Sequence, residues 1–234
     1  MIATRSQLIA TIGHEWQNQE LLDHALTHRS YAVEHNTQDN ERLEFLGDAV
    51  LELVITENIV ESFSEATEGQ LSRIRSKLVR TETLAQAAND WLLGDSIMMG
   101  KGEAASGGAK RSRALAGTFE AVLGALFLDG GFHVVREIVR GVFLEQITSI
   151  EDPAHFGMDP KSALQEMSMQ VMQSLPEYSE VSAEGPAHER EFVWEVRVGD
   201  LAVCIGKGSS KQRAQRAAAA QALDIITKKS TQDA

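Results

Sequence analysis

The stretch Asn40–Leu53, NERLEFLGDAVLEL, decides how the chain is read. Wound at about 100° per residue together with the residues that follow it to Ile59, it places Glu41, Glu44, Asp48 and Glu52 in one narrow sector and Leu43, Leu46, Val50 and Val54 on the opposite side. The spacing predicts an amphipathic helix over residues 40–59, with one stripe for a core and one of like charge. No Lys or Arg stands four residues after any of these carboxylates. The acidic row therefore weakens its own helix unless something positive covers it. Most acidic stripes are solvated faces. An uncompensated one is also a candidate seat for a divalent cation, since hard cations such as Mg²⁺ and Mn²⁺ take oxygen ligands, and beside a phosphodiester they activate water and stabilise the leaving oxygen.

Outward from this helix, the N-terminal side begins with a helical start, SQLIATIG, and a polar segment, LLDHALTHRSYAVEHN. On the other side a turn at Glu68 and Gly69 leads into one expected helix, QLSRIRSKLVRTETLAQAAND. The connector MMGKGEAASGGAKRSR, with Gly100, Gly102, Gly107 and Gly108, reads as a flexible loop; it matches neither a P-loop nor a dinucleotide fingerprint. Two further helical runs, RALAGTFEAVLGALFLDGG and VVREIVRGVFLEQI, close a first domain expected over residues 1–148.

Residues 149–160, SIEDPAHFGMDP, carry two of the four prolines, and a linker is placed at 149–157. Beyond it the periodicity changes. A helix KSALQEMSMQVMQSL precedes three short β-like runs, EYSEVSAE, REFVWEVRV and LAVCIG, and a closing helix SKQRAQRAAAAQALDIITKK. In the middle run Phe192, Trp194, Val196 and Val198 alternate with Val193, Glu195 and Arg197, as a sheet with one covered face requires. The expected fold class is thus a mostly α first domain followed by a small α+β domain, α-β-β-β-α, over 158–228, with a tail at 229–234.

Composition limits the function classes. The 234 residues are 43% hydrophobic and only 6% aromatic, which suits helical cores. A lone cysteine, Cys204, excludes an intramolecular disulfide framework and a Cys-based zinc site, so a reducing, cytoplasmic setting is expected. No run approaches the roughly 18 apolar residues of a spanning helix, and no membrane partner is expected. The formal charge of −12 opposes phosphate binding at first sight. Residues 1–157, however, hold 13 Lys+Arg against 23 Asp+Glu, while residues 158–234 hold 9 against 11. The acidity is concentrated in the first part.

NERLEFLGDAVLEL resembles the ribonuclease III signature, and EGQLSRIRSKLV at 68–79 resembles that family's second conserved stretch. The connector with GxG and SGG, followed by FEAVLGALFLDGG at 119–131, resembles the third. The resemblance implies an endoribonuclease of double-stranded RNA, acting in rRNA and mRNA processing and leaving 5′-phosphate and 3′-hydroxyl ends. It implies that Glu44, Asp48 and Glu120 bind Mg²⁺, with Mn²⁺ as a substitute, and that Glu41 and Glu68 join them in the catalytic set by placing the scissile strand. It also implies a symmetric homodimer in which Phe45 inserts into the partner subunit. On residues alone Phe45 reads as a core aromatic and no dimer follows.

One position departs from the pattern. Where the family presents Asp-x-x-Glu, this chain has Gly117-Thr118-Phe119-Glu120. One expected ligand is missing, and a water is its natural replacement, since Mg²⁺ keeps several waters. The alternative reading is a double-stranded RNA-binding protein whose nuclease activity is weakened or lost.

The α-β-β-β-α segment resembles the double-stranded RNA-binding domain, which reads A-form shape through 2′-hydroxyls and phosphates with little base specificity. By that resemblance Gln165 and Glu166 reach the minor groove, and His188 in the loop Gly185-Pro186-Ala187-His188 makes a second contact. Lys211, with Arg213 and Arg216 nearby, meets phosphate at a helix N-terminus. Gln212 and Gln215 stand where the family often has lysines.

Overall fold

The computed structural model describes residues 5–186 and 189–232, with side chains as far as Thr227. They fall into two compact units divided between Phe156 and Gly157.

The first unit contains α1 (Arg5–Ile12), α2 (Gln19–Ala25), α3 (Arg29–His35), α4 (Glu41–Ser62), α5 (Glu68–Leu78), α6 (Thr81–Asp90), α7 (Lys101–Ala105) and α8 (Ser112–Thr148). Its frame is α4 against α8. Leu43, Val50, Leu51, Val54, Ile55 and Ile59 bury one face of α4, and Leu46 packs half-buried beside them. Phe119, Val122, Leu123 and Leu126 face them from α8. The two helices touch backbone to backbone at a pair of glycines. A Cβ on Gly47 would stand 1.7 Å from the carbonyl oxygen of Glu120, and one on Gly124 would stand 2.2 Å from that of Leu43. Each glycine costs the helix about 1 kcal/mol relative to alanine, yet no other residue allows this approach. It is what brings Asp48, next to Gly47, up to Glu120.

Two sequence expectations change here. Glu68 and Gly69 open α5 instead of forming a turn before it, because Thr67 and Gln70 form a capping box: Thr67 Oγ1 accepts from the Gln70 N–H, and Gln70 Oε1 accepts from the Thr67 N–H at 2.7 Å. The single helix expected over 70–90 is broken at Val79 and Arg80, with Arg80 extended, so that α6 can turn and bury Leu84, Ala85, Ala87 and Ala88.

The glycine-rich connector is ordered rather than a flexible loop. It forms α7 and a 3-10 turn, Gly108–Lys110. Ser30 Oγ accepts from the Gly100 N–H at 3.0 Å, and Glu34 accepts from the Lys101 N–H at 3.2 Å. A Cβ on Gly100 would meet Glu34 Oε1 at 2.4 Å, so this glycine serves close approach. Within α8, Gly131 (φ 78°) interrupts the helical dihedrals between the two runs expected from sequence. Just before it, the buried Asp129 accepts from His14 Nε2 at 2.7 Å and from the N–H groups of Gln17 and Asn18, pinning the α1–α2 connection to α8. Ile150 and Phe156 also pack on this core, and Ala154 O accepts from Arg73 Nη2 at 2.9 Å.

The second unit contains α9 (Pro160–Met172), β1 (Glu177–Glu184), β2 (Glu191–Val198), β3 (Ala202–Gly208) and α10 (Lys211–Gln232). The antiparallel sheet runs β1-β2-β3, with Val196 opposite Cys204 and Trp194 opposite Gly206. Trp194, Val196 and Val198 face inward, as their alternation predicts. A Cβ on Gly206 would stand 2.1 Å from the Ala218 nitrogen, so the alanine run of α10 lies directly on β3. Among the described residues no helix is long and apolar enough to cross a membrane.

Candidate active site

Asn40 fixes the start of α4. Buried, it donates through Nδ2 to Ala25 O at 2.9 Å and through its backbone N–H to Thr27 O at 3.0 Å. With that end anchored and the glycine crossing one turn on, Glu41, Glu44 and Asp48 from α4 and Glu120 from α8 line one cleft of about 1060 Å³. Gly117 and Thr118 contribute to the same wall with His28, and Arg29, Arg111 and Arg113 supply positive charge around it.

The carboxylates feel one another. Burial pushes Glu120 up to about 7, with the charges of Asp48, Glu44 and Glu52 adding to the effect. Glu44 is also raised, by burial and then by Glu41, with partial relief from Arg113 and His28. A set of oxygen donors under mutual repulsion suits a hard divalent cation, which binds the charged form and relieves it. Among the described residues no three Asp, Glu, His or Cys side chains stand close enough to hold a metal ion as placed.

Two models of known families account for most of the chain: Ribonuclease-III-like over residues 18–147, and Double-stranded RNA binding motif over residues 160–226. The chain is 41% identical to Ribonuclease 3 of Bdellovibrio bacteriovorus over 223 residues, 94% of this chain and 95% of that protein. It is 42% identical to Ribonuclease 3 of Shewanella oneidensis, over 95% of this chain and 96% of that protein. This chain belongs to the ribonuclease III family. Two solved structures of the nuclease domain of ribonuclease III from Campylobacter jejuni resemble it with TM-scores of 0.58 and 0.59 at 37% and 36% identity. They cover 61% and 63% of this chain and 97% and 99% of the domain.

The remaining positions named from the ribonuclease III resemblance divide. Glu41, at the mouth of the cleft, pairs with Arg29 at 3.7 Å. Glu68 does not line the cleft; it is exposed at the first turn of α5 and accepts from Ser72 Oγ at 2.7 Å. Phe45 is 80% exposed and lines the cleft, as does Val33, itself 77% exposed, so its reading as a core aromatic is overturned.

In the second unit Gln165 and Glu166 are exposed on α9, and Lys211, Arg213 and Arg216 are exposed on the first turns of α10. His188 lies outside the described residues. Lys211 Nζ sits 4.4 Å from the Trp194 ring centroid, Arg213 Nη1 donates to Ser209 Oγ at 2.8 Å, and Arg216 Nε pairs with Asp159 at 2.6 Å. Sequence reasoning missed Lys161, which donates to Gln215 Oε1 at 2.8 Å and lies over the Tyr178 ring. It also missed the cleft arginines, which come from segments far from the acidic helix and carry no periodic signal.

Proposed function

We propose that this chain is an endoribonuclease that cuts double-stranded RNA in the cleft between α4 and α8 and grips the duplex with its second unit. The observation that carries the reading is the convergence of Glu44, Asp48 and Glu120 from two helices in one cleft, with Glu120 pushed up to about 7, in a chain whose second unit matches the double-stranded RNA binding motif.

A divalent cation, Mg²⁺ with Mn²⁺ as a substitute, would supply an activated water and charge stabilisation at the leaving oxygen when held by Glu44, Asp48 and Glu120. The water oxygen bonds to phosphorus, the bond from phosphorus to the 3′ oxygen breaks, and the proton ends on that oxygen, giving 5′-phosphate and 3′-hydroxyl ends. Glu120 must release its proton to serve as a ligand. Glu41, held by Arg29, borders the path of the scissile strand. Glu68 does not line this cleft, so its role in placing that strand rests on the motif at 68–79 alone.

Exposure of Phe45 and Val33 supports a homodimer with Phe45 inserted into the partner, and one of the Campylobacter jejuni structures is described by a region involved in dimer formation. We assign residues 1–148 to catalysis, 149–157 to the linker, 158–228 to duplex binding and 229–234 to a tail. Gln165, Glu166, His188, Lys211, Arg213 and Arg216 form the RNA contact set, reading shape rather than bases. The substrates are rRNA and mRNA precursors in the cytoplasm.

The test incubates the full chain with a labelled RNA duplex in Mg²⁺ and in EDTA, beside Asp48→Asn and Glu120→Gln. Cutting should depend on the cation and fall by about 10²-fold or more in both variants, while duplex binding survives. Cleavage by either variant within about tenfold of wild type would remove that residue from the ligand set.

A further inference from the structure

The cleft holds three guanidinium groups, and two are committed. Arg29 pairs with Glu41 at 3.7 Å. Arg111 pairs with Glu103 at 2.6 Å, and its second nitrogen donates to Ser106 Oγ at 2.9 Å. Arg113 is exposed and forms no salt bridge among the described residues, although it lines the same cleft and its charge reaches Glu44. It lies four residues before Gly117 and seven before Glu120, so all three share one face of α8. Between them position 117 is glycine, so α8 itself adds no side chain there, and the Glu44 carboxylate lies over that position.

We propose that Arg113 is a further catalytic residue, binding the non-bridging oxygens of the scissile phosphodiester. The proposal rests on the nuclease reading above. Glu41, Glu44, Asp48 and Glu120 repel an anionic backbone, so a phosphate brought to them needs a fixed positive partner on the protein. A guanidinium fork presents two parallel N–H donors to two phosphate oxygens, which an ammonium cannot do. As water attacks, negative charge grows on those oxygens, and a donor already aimed at them stabilises the transition state more than the ground state. Arg113 transfers no proton and forms no bond to phosphorus.

The experiment is single-turnover cleavage by the full chain, with Arg113→Ala and Arg113→Lys, on one duplex carrying either oxygen or a phosphorothioate sulfur at the scissile phosphate. Because Arg113 is exposed, both variants should keep the wild-type melting temperature. On the oxygen substrate Arg113→Ala should lose roughly 10²-fold in rate, and Arg113→Lys should recover only part of it. On one sulfur diastereomer the penalty should shrink at least about fivefold, because the contact is already weakened. A rate within about threefold of wild type for Arg113→Ala, or an equal penalty on oxygen and sulfur substrates, would overturn the proposal. An equal penalty would mean that Arg113 acts through Glu44. If wild type cuts no duplex at all, the nuclease reading fails, which the variants alone would not show.

Discussion

The carboxylate of Glu44 lies where a side chain at position 117 would begin. A Cβ on Gly117 would stand 2.8 Å from Glu44 Oε2, 2.9 Å from its Cδ and 3.1 Å from Oε1. From the sequence motif, Gly117 marks the place of a missing ligand to be filled by water. In the fold a neighbouring carboxylate reaches over that place, so a residue introduced at 117 competes with Glu44 before it meets a cation. The Glu44 tip is flexible and can give way.

Gly117→Ala should therefore raise the Mg²⁺ concentration for half-maximal cutting by about three- to tenfold, because it moves one ligand and adds none. Removing a helix-interior glycine should at the same time stabilise the fold by up to about 1 kcal/mol. Gly117→Asp should displace Glu44 equally but bring its own carboxylate, keeping the Mg²⁺ requirement within about threefold of wild type. Rate against Mg²⁺ concentration for the three proteins decides it. An unchanged requirement in Gly117→Ala would show that the Glu44 position is immaterial.

A second prediction follows from Glu120 in the absence of divalent cations. Its folded-state pKa is raised from the usual 4.5 to about 7, by burial first and then by Asp48, Glu44 and Glu52. A raised pKa means that the folded state holds the proton more tightly, so this contribution to stability is full below about pH 4.5 and is lost as pH rises through about 7. In EDTA, Glu120→Gln should melt above wild type at pH 8, by the equivalent of about 1–3 kcal/mol, and should match it near pH 4.5. Saturating Mg²⁺ should reverse the order at pH 8. If the gap in EDTA is the same at both pH values, Glu120 does not carry the strain assigned to it.

How legible all this was depended on the range of the interactions. The α4 stripe was readable because its determinants are local: Leu43, Val50 and Val54 recur with the helical period, and burial followed. The alternation at Trp194, Val196 and Val198 was readable for the same reason. The break at Arg80 was not, because it is set by the packing of Leu84 and Ala88, a tertiary demand that overrides helix propensity. The order of the glycine-rich connector depends on Ser30 and Glu34, about 70 residues away. Of the candidate site, Glu44, Asp48 and Glu120 came from the motif and met in the cleft. Arg29, Arg111 and Arg113 entered only through the fold, and Phe45 was misread from hydrophobicity alone because its exposed position depends on what packs against α4.

Phe45 also supplies a third prediction. An aromatic side chain that is 80% exposed, on the same cleft as a Val33 that is 77% exposed, is an anchor looking for a pocket. Sedimentation should find wild type as a dimer at micromolar concentration, and Phe45→Ala should weaken the dimer by about 2 kcal/mol or more, roughly thirtyfold in the dissociation constant. The melting temperature of the monomeric unit should not fall, since Phe45 contributes nothing to its core. A wild-type monomer, or a dissociation constant unmoved by the change, would end the anchor role.

The last prediction separates two basic residues of α10 that sequence treats alike. Lys211 and Arg216 are both exposed near its start, but their charges differ in availability. Lys211 Nζ sits 4.4 Å from the Trp194 ring centroid and forms no salt bridge among the described residues, so the ring orients its charge without cancelling it. Arg216 is held by Asp159 at 2.6 Å, which neutralises it locally and must be broken or shared before it can meet a phosphate. Each full phosphate contact contributes about one to the slope of log affinity against log salt. Lys211→Ala should lower that slope by about 1 and weaken binding to duplexes of unrelated sequence by similar factors, as phosphate contacts carry no sequence information. Arg216→Ala should change the slope by less than about half as much. Asp159→Asn should strengthen duplex binding at low salt by freeing Arg216, and this gain should vanish in the Arg216→Ala background. Equal slope changes for Lys211→Ala and Arg216→Ala, with no effect of Asp159→Asn, would mean that the ion pair does not limit Arg216.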